Sequence, residues 1–135
     1  MTQHDAAVIR LEHRYAQPPA AVWRVLTTPE LFARWWAAGD IQPRVGHRFE
    51  LDMGRWGMQA CEVLTVEPER LLSICFAVGS LDTTITWQLS ADGEGTLLRF
   101  THEGFDLDSP LARSALEGMR PGWPGLLARI EKILA

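Results

Sequence analysis

His102 and Glu62 are the two side chains in this sequence whose type and setting suit proton transfer. His102 shares strand parity with Leu98 and Phe100, so it points to the apolar side of its strand. An imidazole there suits acid–base work or fixing the polar end of a bound molecule. It suits equally a plain hydrogen bond to backbone or water near a strand end. Glu103 faces the other way, so the His102–Glu103 dipeptide is not a catalytic couple. Glu62 shares parity with Leu64 and Val66. If those point inward, a carboxylate enters the apolar side, where burial raises its pKa and makes it an acid. A bulge in the strand would reverse that orientation. Glu50 and Asp52 alternate with apolar residues and belong to a solvated face.

Other chemistry is thinly supplied. Cys61 and Cys75 lack a neighbour that would favour the thiolate, and packing as free thiols fits them better than a disulfide or catalysis. Histidines 4, 13, 47 and 102 have no ligand spacing on any one element, so no metal is expected. There is no phosphate-cradling glycine loop and no G-x-S-x-G turn, which removes most nucleotide and hydrolase readings. No cofactor is expected.

The elements that position these groups follow from periodicity. Ile9, Leu11, His13 and Tyr15 alternate against Arg10, Glu12 and Arg14, a half-buried first strand. Gln17-Pro18-Pro19 opens a short helix to Leu26, and Thr28-Pro29 opens a second one, with Thr28 as N-cap and Trp35 and Trp36 near its end. Adjacent on a helix, those two rings diverge: one packs inward and the other belongs to an entrance lip. From Arg44 to Gly104 the period becomes two, with strands at Arg48–Met53, Met58–Val66, Leu71–Ala77, Asp82–Ser90 and Thr96–Glu103. Asp92-Gly93-Glu94-Gly95 is a hairpin turn. Leu111–Met119 is helical, Pro121 and Pro124 interrupt or kink that pattern, and Gly122–Leu134 forms a last helix.

Six strands at about 4.8 Å spacing make a sheet near 29 Å wide. A helix of about 10–12 Å diameter and roughly 20 Å length cannot cover it flat. The sheet must therefore curl around the helix, giving an α+β fold with two short helices after the first strand. The space enclosed is filled by side chains or by a guest. The six tryptophans bear on that choice, because large apolar rings with one polar tip line tight cores and hollows alike.

Composition sets the frame. At 135 residues, 47% hydrophobic and 22% charged, the chain reads as one soluble domain over residues 1–135. A net charge of −4 with arginines scattered singly argues against a nucleic-acid partner. No apolar run reaches the roughly 20 residues that span a bilayer, and Met1–Asp5 carries no signal-peptide pattern, so the expected location is cytoplasmic without membrane insertion.

Taken in order, Ala21-Val22-Trp23, Leu31 with Trp35-Trp36, Gly46 with Phe49, and Glu62-Val63 with Pro68 and Leu71 form one pattern. It continues through Thr86-Trp87-Gln88-Leu89, Gly95-Thr96, Thr101-His102-Glu103-Gly104-Phe105 and Gly122-Trp123 with Leu126. The pattern resembles the START-like (SRPBCC) helix-grip superfamily, in the branch similar to the C-terminal domain of the activator of the heat-shock-protein-90 ATPase. That resemblance implies a hydrophobic cavity between a six-stranded sheet and the last helix, for a lipid, polyketide or aromatic type of guest. Carried to this sequence, the wall would comprise Trp36, Phe49, Leu51, Met53, Ile74, Phe76, Trp87, Phe100, Trp123 and Leu127. His102 and an indole N–H would supply the polar contacts. The superfamily also implies a cyclase or dehydratase alternative using His102 and Glu62, and an interaction or stress-response alternative. Two departures stand out. His47 replaces a second glycine, which implies a looser strand entry, and the activator's N-terminal domain does not precede this sequence, which weakens a chaperone partner. A homodimer is left open.

Overall fold

Residues 7–135 are described by a computed structural model of the chain, so the readings made on Met1–Asp5 lie outside the described residues. The alternating first segment forms β1 (Ile9–Tyr15), with Ile9 and Tyr15 buried and Arg10, Glu12 and Arg14 exposed. Pro19 and Pro29 each stand in the first turn of a short helix, α1 (Pro19–Thr27) and α2 (Pro29–Trp35), where the missing N–H has no intrahelical partner to lose. Thr28 occupies the N-cap of α2, but its side chain makes no capping hydrogen bond.

The antiparallel strands are β2 (Ala38–Gly39), β3 (Arg48–Asp52), β4 (Met58–Glu67), β5 (Leu71–Phe76), β6 (Thr83–Asp92) and β7 (Gly95–Glu103). With β1 they make one seven-stranded sheet in the order β1-β7-β6-β5-β4-β3-β2. The sequence led to six strands. The seventh, β2, is a two-residue edge too short to show a period, and it approaches β3 so closely that a Cβ on Gly39 would lie 2.4 Å from the Glu50 carbonyl oxygen. Between β6 and β7 the turn is two residues long, with Gly93 at φ 61° in the first central position.

A bulge in β4 decides which face its side chains take. Val63 pairs with Ile74 and Thr65 with Ser73, so Leu64 is the unpaired extra residue. Cys61 and Val63 point inward before it and Val66, opposite Leu72, after it. The parity linking Glu62 to Val66 is therefore broken, and Glu62 lies on the outer face.

The C-terminal helix departs most from expectation. It is a single element, α3, running from Pro110 to Leu134 straight through Pro121 and Pro124. Its 25 residues span about 37 Å, nearly twice the length inferred from the prolines. Both prolines lie on the exposed side of the helix, away from the packed stripe. Ala112, Leu116, Trp123, Leu127 and Ile130 meanwhile keep one continuous buried stripe. Ser109 caps the start, its hydroxyl accepting from the Ala112 N–H.

The curled sheet grips the C-terminal half of this helix. Tyr15 donates its hydroxyl proton to the Leu127 carbonyl at 2.8 Å, Gln17 reaches the Leu134 carbonyl, and His13 meets Glu131. Between sheet and helix, Trp35, Trp87, Trp123, Phe32 and Phe100 are all buried to within 1% of complete. That part of the enclosed space is packed with rings in edge and tilted contact.

Candidate functional site

His102 sits near the C-terminal end of β7, between Ile9 of β1 and Ile85 of β6, and is fully buried. The indole N–H of Trp123 donates to its Nδ1 at 3.1 Å. That fixes the tautomer: Nε2 carries the proton and donates it to the Thr83 hydroxyl at 2.8 Å. Thr83 in turn donates to the Phe76 carbonyl. The ring is therefore a satisfied link in a chain running from α3 through β7 and β6 to β5. Burial lowers its pKa to about 3, so it stays neutral at ordinary pH. Neither nitrogen is left for a guest or a substrate.

Glu62, on the outer face, pairs with Arg48 at 3.1 Å, the glutamate side chain being 32% exposed and the arginine 83%. It and His102 lie on opposite faces of the sheet and do not converge. Cys61 points inward and Cys75 outward, and both are free thiols. Burial pushes the Cys61 thiol up to about 12; Cys75 is also raised, by burial and by the nearby Asp82 and Glu62 carboxylates. His47 precedes β3, which begins at Arg48. It hydrogen-bonds the Asp40 carbonyl and the Arg44 side chain and stacks on Phe49.

Open space remains at the other end of α3. A cleft of about 540 Å³ lies between the N-terminal half of that helix and the β3–β4 turn. Trp36, Phe76 and Trp123 line it, with ring centroids 4.9–5.6 Å from Trp36. Trp36 can reach this place because α2 ends at Trp35. Its own backbone, at φ −133° and ψ −76°, has left the helix, so the divergence expected of helical neighbours does not apply. Met53 and Leu81 also line the space, as do Leu111, Ala115, Gly118, Gly122 and Leu126 of α3. Those helical positions recur every three or four residues, beside the buried stripe. A Cβ on Gly118 or Gly122 would meet nothing within 4 Å. The mouth is formed by a single 3-10 turn, Gly54–Trp56, which presents Trp56 at 66% exposure opposite Leu111 at 59%.

Of the residues expected to form a wall, Trp36, Met53, Phe76 and Trp123 line this cleft. Phe49, Leu51, Ile74, Trp87, Phe100, His102 and Leu127 do not; they are buried elsewhere in the core. Sequence reasoning missed Arg55, Trp56 and the Leu111–Leu126 stripe. The stripe had a signal, since its spacing is helical once Pro121 and Pro124 are allowed inside α3. The indole N–H groups of Trp35 and Trp87 are buried without a hydrogen-bond partner. The two rings meet edge to face at 6.2 Å and 88°, a contact that offsets part of that cost.

A family model described as Activator of Hsp90 ATPase homolog 1-like protein matches residues 16–135. The chain belongs to this family. Its fold is accordingly START-like, with the helix gripped by the sheet as the sequence resemblance implied. Among solved structures it is similar to protein MLL2253 from Mesorhizobium loti, at 34% identity over 94% of this chain and 96% of that one, with a TM-score of 0.84. Protein BH1534 from Bacillus halodurans is 26% identical over 95% and 96% of the two chains, with a TM-score of 0.81. The Aha1 dimer from Colwellia psychrerythraea, 18% identical over 94% and 95% with a TM-score of 0.75, shares the fold. No curated protein matches the chain. Among the described residues no helix is long and apolar enough to cross a membrane, and no group of side chains could hold a metal ion.

Proposed function

We propose that this chain binds a small hydrophobic or amphipathic molecule in the cleft beside the N-terminal half of α3. One observation carries the reading: about 540 Å³ of open space is walled by the rings of Trp36, Phe76 and Trp123. Small-molecule sites commonly span about 300–1,000 Å³, with apolar walls and few polar groups. Burial of a guest's apolar surface contributes about 25 cal/mol per Å². An acid–base reading has less behind it, because His102 has both nitrogens engaged and Glu62 is on the far side of the sheet.

Gly118 offers the test. Gly118→Leu projects its side chain into the open cleft, and loss of a mid-helix glycine should stabilise the fold by about 0.5–1 kcal/mol. Titration with 1-decanol, followed by tryptophan fluorescence, should show binding to the native chain. The variant should bind at least about tenfold more weakly with an unchanged or higher Tm. Equal binding by both proteins, or none by the native one, overturns the proposal.

A further inference from the structure

Resting on that cleft as the binding site, we propose that it selects an anionic amphiphile, whose acidic head is held by Arg55 while its chain lies on Trp36, Phe76 and Trp123. Trp36, Phe76 and Trp123 bring no charged group to the cleft. Trp123 spends its N–H on His102, and His102 is enclosed. A guest's charged group is therefore confined to the mouth, because burying it deeper would leave it unpaired.

At the mouth, the sign of the charge is set. Arg55 is the only ionisable side chain among the described residues lining the cleft. Arg14, Arg48, Arg70 and Arg99 each pair with a carboxylate, whereas Arg55 has none within ion-pair distance among the described residues. Its guanidinium lies 4.8 Å over the Trp56 ring, a stacking that leaves the N–H edge of the fork directed at other partners. The neighbouring carboxylate, Asp52, accepts the Gly54 N–H within its own turn. Gln59 and Ser80 hold their donors on the Trp56 and Ala77 carbonyls. The Ser114 hydroxyl and the indole N–H groups of Trp36 and Trp56 are neutral donors, so the one charged donor lining the cleft among the described residues is the planar fork of Arg55, which matches a carboxylate or phosphate head. In a chain of net charge −4, this is a local positive mouth, not a general attraction for anions.

Three probes of equal chain length separate the charge claim from the cleft claim: sodium decanoate, 1-decanol and decyltrimethylammonium bromide, each below its aggregation limit. Isothermal titration at about 0.05 and 0.5 M salt should find decanoate bound about tenfold tighter than decanol, with the gap narrowing at high salt, and the cation weakest. Arg55→Gln, at an exposed position, should abolish the preference, so that decanoate and decanol bind the variant equally. Equal affinities for the three probes, a preference for the cation, or a decanoate preference that survives Arg55→Gln overturns the anion proposal while leaving the cleft reading intact. Binding of none of them removes both.

Discussion

Trp123→Phe is the substitution whose consequence is best defined by the geometry. The change removes the indole N–H and leaves His102 Nδ1, in a fully buried ring, without its donor. A buried acceptor deprived of its partner costs about 1–3 kcal/mol. The lost ring volume also leaves a void beside Trp36 and Phe100, whose centroids lie 4.9 and 4.5 Å from Trp123, at a further cost of about 1–2 kcal/mol. The sum, about 2–5 kcal/mol, should be visible as a lower urea midpoint at unchanged slope. The two contributions separate in a double-mutant cycle with His102→Leu. In that background the orphaned acceptor no longer exists, so Trp123→Phe should cost less by about 1–3 kcal/mol. Coupling below about 0.5 kcal/mol would mean that the helix-to-sheet hydrogen bond contributes nothing, and the assignment of His102 as a structural link would be refuted.

The same link sets a pH dependence. His102 titrates near 3 in the fold and about 6.5 unfolded, so below pH 6.5 the unfolded chain binds the extra proton. Its contribution is complete above about pH 7.5 and declines as pH falls toward 3, reaching a loss of about 2 kcal/mol at pH 5. Urea midpoints across this range should show that slope, and His102→Leu should remove it. Glu62→Gln should change stability by no more than about 0.5 kcal/mol in the same assay, because its partner Arg48 is mostly in water.

The alternating segments were legible because each residue there reports its own face. The sides of β1, β6 and β7, and the inward aim of His102, followed from a period of two. Glu62 did not, because the Val-Leu-Thr-Val run carrying the bulge contains only strand formers and nothing marks the extra residue. In α3, proline chemistry pointed to a break, yet Leu116, Trp123 and Leu127 continued one stripe across it. Tertiary packing of that stripe outweighed the local cost. The break, once assumed, hid the cleft, since Leu111, Gly118 and Gly122 line up only on an unbroken helix. Arg55 and Trp56 were illegible for another reason: they sit in a three-residue turn, where no period exists to give them a direction. The aromatic wall was half visible. Inward parity identified apolar residues but could not separate those facing open space from those packed against other rings.

The six indole N–H signals in a nitrogen–proton correlation spectrum give the most direct reading of where a guest sits. Titration of the native chain with sodium decanoate should move the signals of Trp36, Trp56 and Trp123 and leave those of Trp35 and Trp87 in place, because the latter pair lies in the filled part of the core. Shifts concentrated on Trp35 and Trp87, or a spectrum unmoved at saturating decanoate, would contradict a site at the helix's N-terminal half.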